Sequence, residues 1–202
     1  MRRWIKPGLH VALALPLLWL AWQWGLAAQG LPHGLGVNPI EATIRSLGDW
    51  GIRVLLGALA VTPLAQLSGW KPLMALRRMV GLWAFAYVAL HFAAYFGMDK
   101  LLSLQGLWAD VVKRQYITLG MAGLALLIPL AVTSTGAMVR RLGARRWKRL
   151  HKLVYAIGVL AVLHHWFMVK GVQLAPIVHG LILAALLGAR VLMRLRRRLA
   201  PA

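Results

Sequence analysis

The sequence predicts an all-α protein, a six-helix transmembrane bundle with both termini cytoplasmic. Composition is the first reason: 60% of the 202 residues are hydrophobic and only 14% are charged, far from the balance of a soluble domain. Periodic length is the second, because apolar runs of about 17 to 21 residues, the span of a bilayer-crossing helix, recur along the chain. None alternates strictly between apolar and polar residues as a barrel strand would, and backbone groups in hydrocarbon must be bonded within their own segment. The third reason is the placement of charge.

The six runs are 9–28, 51–67, 79–96, 116–132, 153–169 and 172–192, and they fill one domain over 1–202. The first could be taken for a secretory signal, since "GLAAQG" offers small residues for cleavage. Its apolar core is longer than a signal's and carries several Trp suited to an interfacial anchor, so it reads as a retained helix. Between the first two runs, "QGLPHGLGVNPIEATIRSLGD" reads as a Gly- and Pro-rich loop covering one face of the bundle. Between the third and fourth, "SLQGLWADVV" has the apolar spacing of a short interfacial helix. The longest basic connection, "TSTGAMVRRLGARRWKRLH", joins the fourth and fifth, and a tight turn at Lys170–Gly171 makes the last two antiparallel neighbours.

A net charge of +20 would point to nucleic acid in a soluble protein. Here 18 Lys and Arg fall on one side: Arg2, Arg3, Lys6, Lys71, Arg77, Arg78, seven from Arg140 to Lys152 and five from Arg190 to Arg198. Six fall on the other, Arg45, Arg53, Lys100, Lys113, Arg114 and Lys170, together with all four acids, Glu41, Asp49, Asp99 and Asp110. This is the positive-inside bias, and it accounts for the charge without nucleic acid. No cysteine is present, which removes disulfides, thiolate-bound zinc, iron–sulfur clusters and cysteine nucleophiles. GxGxxG and P-loop patterns are also absent.

Histidines inside such runs are costly and therefore informative. His91 lies 13 residues past Arg78, and His164 lies 13 residues past His151, each about 20 Å along a helix. His91 and His164 or His165 therefore share the outer level, while His151 and His10 share the inner one. Two imidazoles at one depth on different helices suit axial ligation of a haem iron, which offsets their burial. On an ideal helix residues 14 apart lie about 40° apart, and residues 13 apart about 140°. That count favours His165 over His164 as the partner in face of His151, and leaves the choice open. His33 reads as a solvated loop residue and His179 as a packed, hydrogen-bonded one. Zinc has little support, since no HExxH motif or carboxylate–His cluster occurs.

Taken together, "VTPLAQL" (61–67), "RRMVGLWAFAYVALHFAAY" (77–95), "KRQYITLG" (113–120), "TSTGAMVRRLGARRWKRLHKLVY" (133–155) and "LHHWFMVK" (163–170) resemble the MsrQ (YedZ) family. These are haem-binding membrane subunits of the bacterial periplasmic methionine-sulfoxide reductase system, within the wider ferric-reductase-like group. The resemblance implies a multi-pass protein of the bacterial inner membrane that carries haem b and FMN. It implies electrons taken from the quinone pool or a cytoplasmic flavin reductase and passed to MsrP, a periplasmic molybdopterin-containing subunit that reduces methionine sulfoxide. Catalytic sulfoxide reduction would then belong to the partner. By motif the resemblance assigns haem iron to His91, His151 and His164.

Oxidase-like relatives carry a second histidine at the inner level of helix three, where this sequence has Arg77 and Arg78. His10 is the remaining candidate for a second inner ligand, or FMN takes that level, with Arg77 and Arg78 as phosphate donors. Two other readings compete: a stand-alone transmembrane ferric or oxygen reductase, for which the six spans leave no NADPH-binding domain, and a non-redox anchor or transporter whose histidines relay protons.

Overall fold

The computed structural model describes residues 2–169 and 171–199, and no strand occurs among them. Among the described residues, nine α-helices follow one another: α1 Arg2–Ala28, α2 Pro39–Leu67, α3 Arg77–Ala94, α4 Leu104–Lys113, α5 Gln115–Val132, α6 Gly136–Leu142, α7 Ala144–Leu150, α8 Leu153–Met168 and α9 Leu174–Leu199. A 3₁₀ turn at Lys71–Ala75 leads into α3, and a π-helical turn at Tyr95–Asp99 ends it. Six stretches of the described residues are long and apolar enough to cross a membrane: Trp4–Ala28, Pro39–Leu67, Arg77–Asp99, Gln115–Val132, Ala144–Met168 and Leu174–Arg196.

α2 is the central element. Leu47, Ile52, Val54, Leu55, Leu56, Ala58, Leu59 and Val61 are all buried on it, against α3, α8 and α9. Gly51 lets α3 come close, because a Cβ there would stand 3.2 Å from Val88 Cγ2. Tyr87 of α3 is fully buried and donates its hydroxyl to the Leu13 carbonyl at 2.6 Å. That bond ties down α1, whose Val11, Leu15, Leu18 and Trp22 stay exposed on what reads as a lipid-facing side. α5 and α8 form the second close pair.

α2 begins at Pro39, twelve residues before the 51 expected from hydropathy, so the connection after α1 is shorter than the sequence suggested. Its first turns are polar yet strongly helical. Asn38 accepts a hydrogen bond from the Glu41 amide at 3.1 Å, Pro39 occupies the first turn, and Glu41–Arg45 and Asp49–Arg53 form i,i+4 pairs. Caps and such pairs stabilise a helix without adding hydropathy. The basic connection 133–151 is likewise not a loop but α6 and α7. Thr135 caps α6 through the Met138 amide at 3.2 Å, and Gly143 turns between them at φ 75°. α9 runs on through its basic end to Leu199, past the expected limit at 192, because Lys and Arg are good helix formers.

The expected short helix is present as α4, capped by Ser103 through the Gly106 amide at 3.0 Å. Asp110 fixes it to the bundle: it pairs with Lys100 at 2.8 Å and accepts from the Tyr95 hydroxyl at 2.6 Å. Of the expected turn at Lys170–Gly171, Lys170 lies outside the described residues. The bundle thus has two chemically different ends. The basic end holds Arg77, Arg78, His151 and Arg190 around one cavity. The acidic end holds Glu41, Asp49, Asp99 and Asp110, with His91 and His164 beneath them.

Candidate functional site

His91 near the end of α3 and His164 near the end of α8 meet with ring centroids 6.1 Å apart and planes at 84°. Each is aimed by a backbone carbonyl on a neighbouring helix. His91 Nδ1 lies 2.8 Å from the Ile44 carbonyl of α2, and His164 Nδ1 lies 2.6 Å from the Tyr116 carbonyl of α5. A carbonyl oxygen only accepts, so Nδ1 carries the proton in both rings. Nε2 of each neutral imidazole is then the nitrogen with a free lone pair, the form that binds a metal.

The two halves are built alike. Each ring rests on the glycine four residues after the carbonyl it bonds, one helical turn further along. A Cβ on Gly48 would stand 3.0 Å from His91 Cε1, and one on Gly120 would stand 2.8 Å from His164 Nδ1. Side chains at those positions would push the imidazoles off their carbonyls. Sequence reading passed over both glycines and both carbonyls. A glycine inside an apolar helix, one turn beyond a residue at the histidine's depth, was the available signal.

The separation of the two rings, 6.1 Å between centroids, leaves room for a metal ion between them. Two imidazoles on opposite sides of one iron, at metal–nitrogen distances of about 2 Å, have ring centroids roughly 6 Å apart. Second-row support of Nδ1–H by a carbonyl is also the usual way a ligating histidine is oriented. Two neutral imidazoles so placed, His91 and His164, would fit a haem iron as its protein ligands.

His165 turns away from this pair. It is buried beside His179 of α9, ring centroids 5.2 Å apart. His179 is packed as expected but not hydrogen-bonded as expected: its Nδ1 is buried without a partner among the described residues. His33 accepts from the Leu35 amide at 3.3 Å and is half-buried in the α1–α2 connection.

At the basic end, a cavity of about 240 Å³ is lined by residues that include Arg77, Arg78, His151, Trp147 and Arg190. His151 stacks on Trp147 with centroids 3.9 Å apart. Its Nε2 lies 3.2 Å from the Thr133 hydroxyl, which donates to the Pro129 carbonyl at 2.6 Å. His10 is not brought to this cavity. It is exposed on α1, and its Nδ1 accepts from Trp83 Nε1 at 2.8 Å. Among the described residues, the cavity lining therefore includes one histidine rather than a facing pair. Arg190 is the residue that sequence reading counted only as flanking charge. It reaches Tyr155 at 3.1 Å and the Leu59 carbonyl.

A family profile described as "Ferric reductase like transmembrane component" matches residues 47–162, more than half of the chain. Among curated relatives, the chain is 50% identical over 188 residues to "Protein-methionine-sulfoxide reductase heme-binding subunit MsrQ" of Rhodospirillum rubrum, covering 93% of this chain and 88% of the relative. The identically named protein of Caulobacter vibrioides is 50% identical over 181 residues, covering 90% and 83%. That of Herminiimonas arsenicoxydans is 45% identical over 196 residues, covering 96% and 87%. The chain belongs to the MsrQ family.

Within this MsrQ-family chain the profile match begins three residues after Ile44, whose carbonyl holds His91, takes in Gly48, and ends two residues short of His164. It therefore covers α3, α5 and most of α8, the helices that carry or brace both histidines. α1 and α9 lie outside it.

Proposed function

We propose that this chain is the haem-binding, electron-transfer subunit of a methionine-sulfoxide reductase, a multi-pass protein of the bacterial inner membrane with both termini cytoplasmic. The observation that carries the reading is the His91–His164 pair, with both Nδ1 protons held on carbonyls and centroids 6.1 Å apart. It gains support from relatives whose printed name is heme-binding subunit. In this reading the pair holds haem b and the basic end takes FMN. The quinone pool or a cytoplasmic flavin reductase supplies electrons, and MsrP, a periplasmic molybdopterin-containing subunit, receives them.

A haem held by His91 and His164 would supply a one-electron centre for electron transfer. The residues around it do the rest. The Ile44 and Tyr116 carbonyls keep the protons on Nδ1 and so make Nε2 more basic. Gly48 and Gly120 set how deeply each imidazole sits. Such a fixed pair changes little between oxidation states, which keeps the reorganisation accompanying each electron small. At the other end, His151, Arg77 and Arg78 surround the space for the entry cofactor. His151 there reads as a residue that positions this cofactor, since Thr133 engages its Nε2.

The test is the outward half-reaction. Purified protein is reduced anaerobically and mixed with MsrP, with and without a peptide containing methionine sulfoxide. Reoxidation that requires both partner and sulfoxide is the expected result. No reoxidation with both present, or full reoxidation by sulfoxide alone, rejects the reading.

A further inference from the structure

A proline inside a helix has no N–H, so the carbonyl four residues earlier loses its helical partner. In α2 that proline is Pro63, and the freed carbonyl belongs to Leu59. Leu59 is almost fully buried, where an unmet carbonyl costs far more than at an aqueous surface. The common local remedy is a Ser or Thr hydroxyl bonded back to a carbonyl three or four residues earlier. Thr62 stands three residues after Leu59, yet its Oγ1 is buried without a hydrogen-bond partner among the described residues.

The donor comes instead from another helix. Arg190 of α9 gives Nη2 to the Leu59 carbonyl and Nη1 to the Tyr155 hydroxyl of α8 at 3.1 Å. Its guanidinium lies 5.1 Å from the Tyr155 ring centroid, a cation–π contact that helps to fix its plane. One fork thus joins α2 to α8, and the compact ammonium of a lysine does not reproduce that geometry. Apolar packing converges on the same residue. A Cβ on Gly158 of α8 would stand 3.3 Å from Leu59 Cδ1 and 3.1 Å from Leu183 Cδ1 of α9.

α2 and α8 are also the helices that place the imidazole pair. α2 offers the Ile44 carbonyl and Gly48 to His91, and α8 carries His164. Leu59 lies about 16 Å along α2 from Gly48, and Tyr155 about 14 Å along α8 from His164. Packed helices behave as rigid elements over such lengths, so a tie at one end bears on the other.

We propose that Arg190 is a positioning residue for the His91–His164 pair. It stands in for the amide that Pro63 lacks and, through the same guanidinium, sets where α2 lies against α8. The effect on haem rests on the electron-transfer reading; the joining of the helices does not.

The experiment uses the full chain in phosphatidylcholine nanodiscs and compares Arg190→Met in the parent and in a Pro63→Ala background. Pro63→Ala restores an amide for the Leu59 carbonyl and so removes the need for Arg190 there. Hydrogen exchange across 56–67, read by mass spectrometry, requires no haem. Arg190→Met should speed it about tenfold or more in the parent and no more than about threefold with Pro63→Ala. Arg190→Lys, which keeps one donor, should fall between parent and Arg190→Met. Where Arg190→Met alone yields no folded protein, recovery of folded protein in the double variant is the same result. Electron paramagnetic resonance of the oxidised protein reads the imidazole pair, and its low-spin signal should shift or broaden in Arg190→Met at unchanged haem content. Equal exchange effects in both backgrounds, or none in either, overturn the replacement of the Pro63 amide. Faster exchange with an unshifted low-spin signal overturns the positioning role. A parent with no haem signal rejects the electron-transfer reading instead, and the exchange comparison still decides what Arg190 does for α2.

Discussion

Gly120 of α5 lies directly beneath the imidazole of His164 on α8: a Cβ there would stand 2.8 Å from Nδ1 and 3.0 Å from Cε1. The ring occupies the space a side chain would take, and so reaches the Tyr116 carbonyl one turn earlier. Gly48 does the same for His91 and the Ile44 carbonyl. The histidines are therefore placed by what two neighbouring helices leave out as much as by what they offer.

Gly120→Ala should displace His164 and remove most of the haem absorbance, at an overpacking cost of about 1 to 3 kcal/mol. Gly48→Ala, with its nearest approach at 3.0 Å, should act the same way more mildly. Gly123→Ala, whose Cβ would meet only Leu160 Cβ at 3.8 Å, is the control and should leave the spectrum unchanged. Optical titration of haem content checks all three. Equal spectra for Gly120→Ala and Gly123→Ala would remove the packing argument.

The two adjacent histidines of α8 separate by partner. His165→Ala should keep the haem spectrum, because that ring lies against His179 rather than His91. His10→Ala should keep it too, since His10 is exposed and engaged by Trp83. Loss of absorbance in either variant would contradict the assignment.

Much of this was legible in the sequence, and the failures have physical causes. Six spans and the common depth of His91 and His164 follow from hydropathy and a fixed rise per residue. The ideal-helix count that favoured His165 assumes one unbroken helix from His151 onward. α7 instead ends at Leu150 with His151 as its C-cap, α8 starts at Leu153, and the amides of Lys152 and Tyr155 bond three residues back, to Arg149 and Lys152. That break changes the phase, so angles counted across it do not apply. The polar first turns of α2 and the basic α6 and α7 were missed because hydropathy finds apolar helices only. Gly48, Gly120 and Arg190 act through neighbours distant in sequence, which spacing alone does not reveal.

The α4 anchor should respond to pH. Hydrogen bonding from Lys100, and then from Tyr95, holds the Asp110 carboxyl below its usual range. Its contribution is therefore complete above about pH 4 and is lost as pH falls through the lower folded value. Lys100 is raised, chiefly by Asp110, so its contribution persists until pH rises through that higher value. Hydrogen exchange across 100–114 should stay slow near neutrality and quicken as pH falls below the ordinary carboxylate range. Asp110→Asn should weaken the anchor by about 2 kcal/mol and abolish the acid transition. Protection unchanged at low pH would contradict this.

The proposed orientation, both termini cytoplasmic, rests on the 18-to-6 division of Lys and Arg. Alkaline phosphatase fused after residue 199 should be inactive, and fused in the connection near Leu101 it should be active. The reverse pattern would exchange the entry and exit ends of the proposed electron path.

The most direct measurement is the reduced-minus-oxidised optical spectrum of the purified protein, taken for the parent chain, His91→Ala and His164→Ala. The account predicts a six-coordinate b-type haem signal in the parent that is lost or converted to a high-spin form by either substitution. A parent without the signal, or both variants with the parent's spectrum, would contradict it.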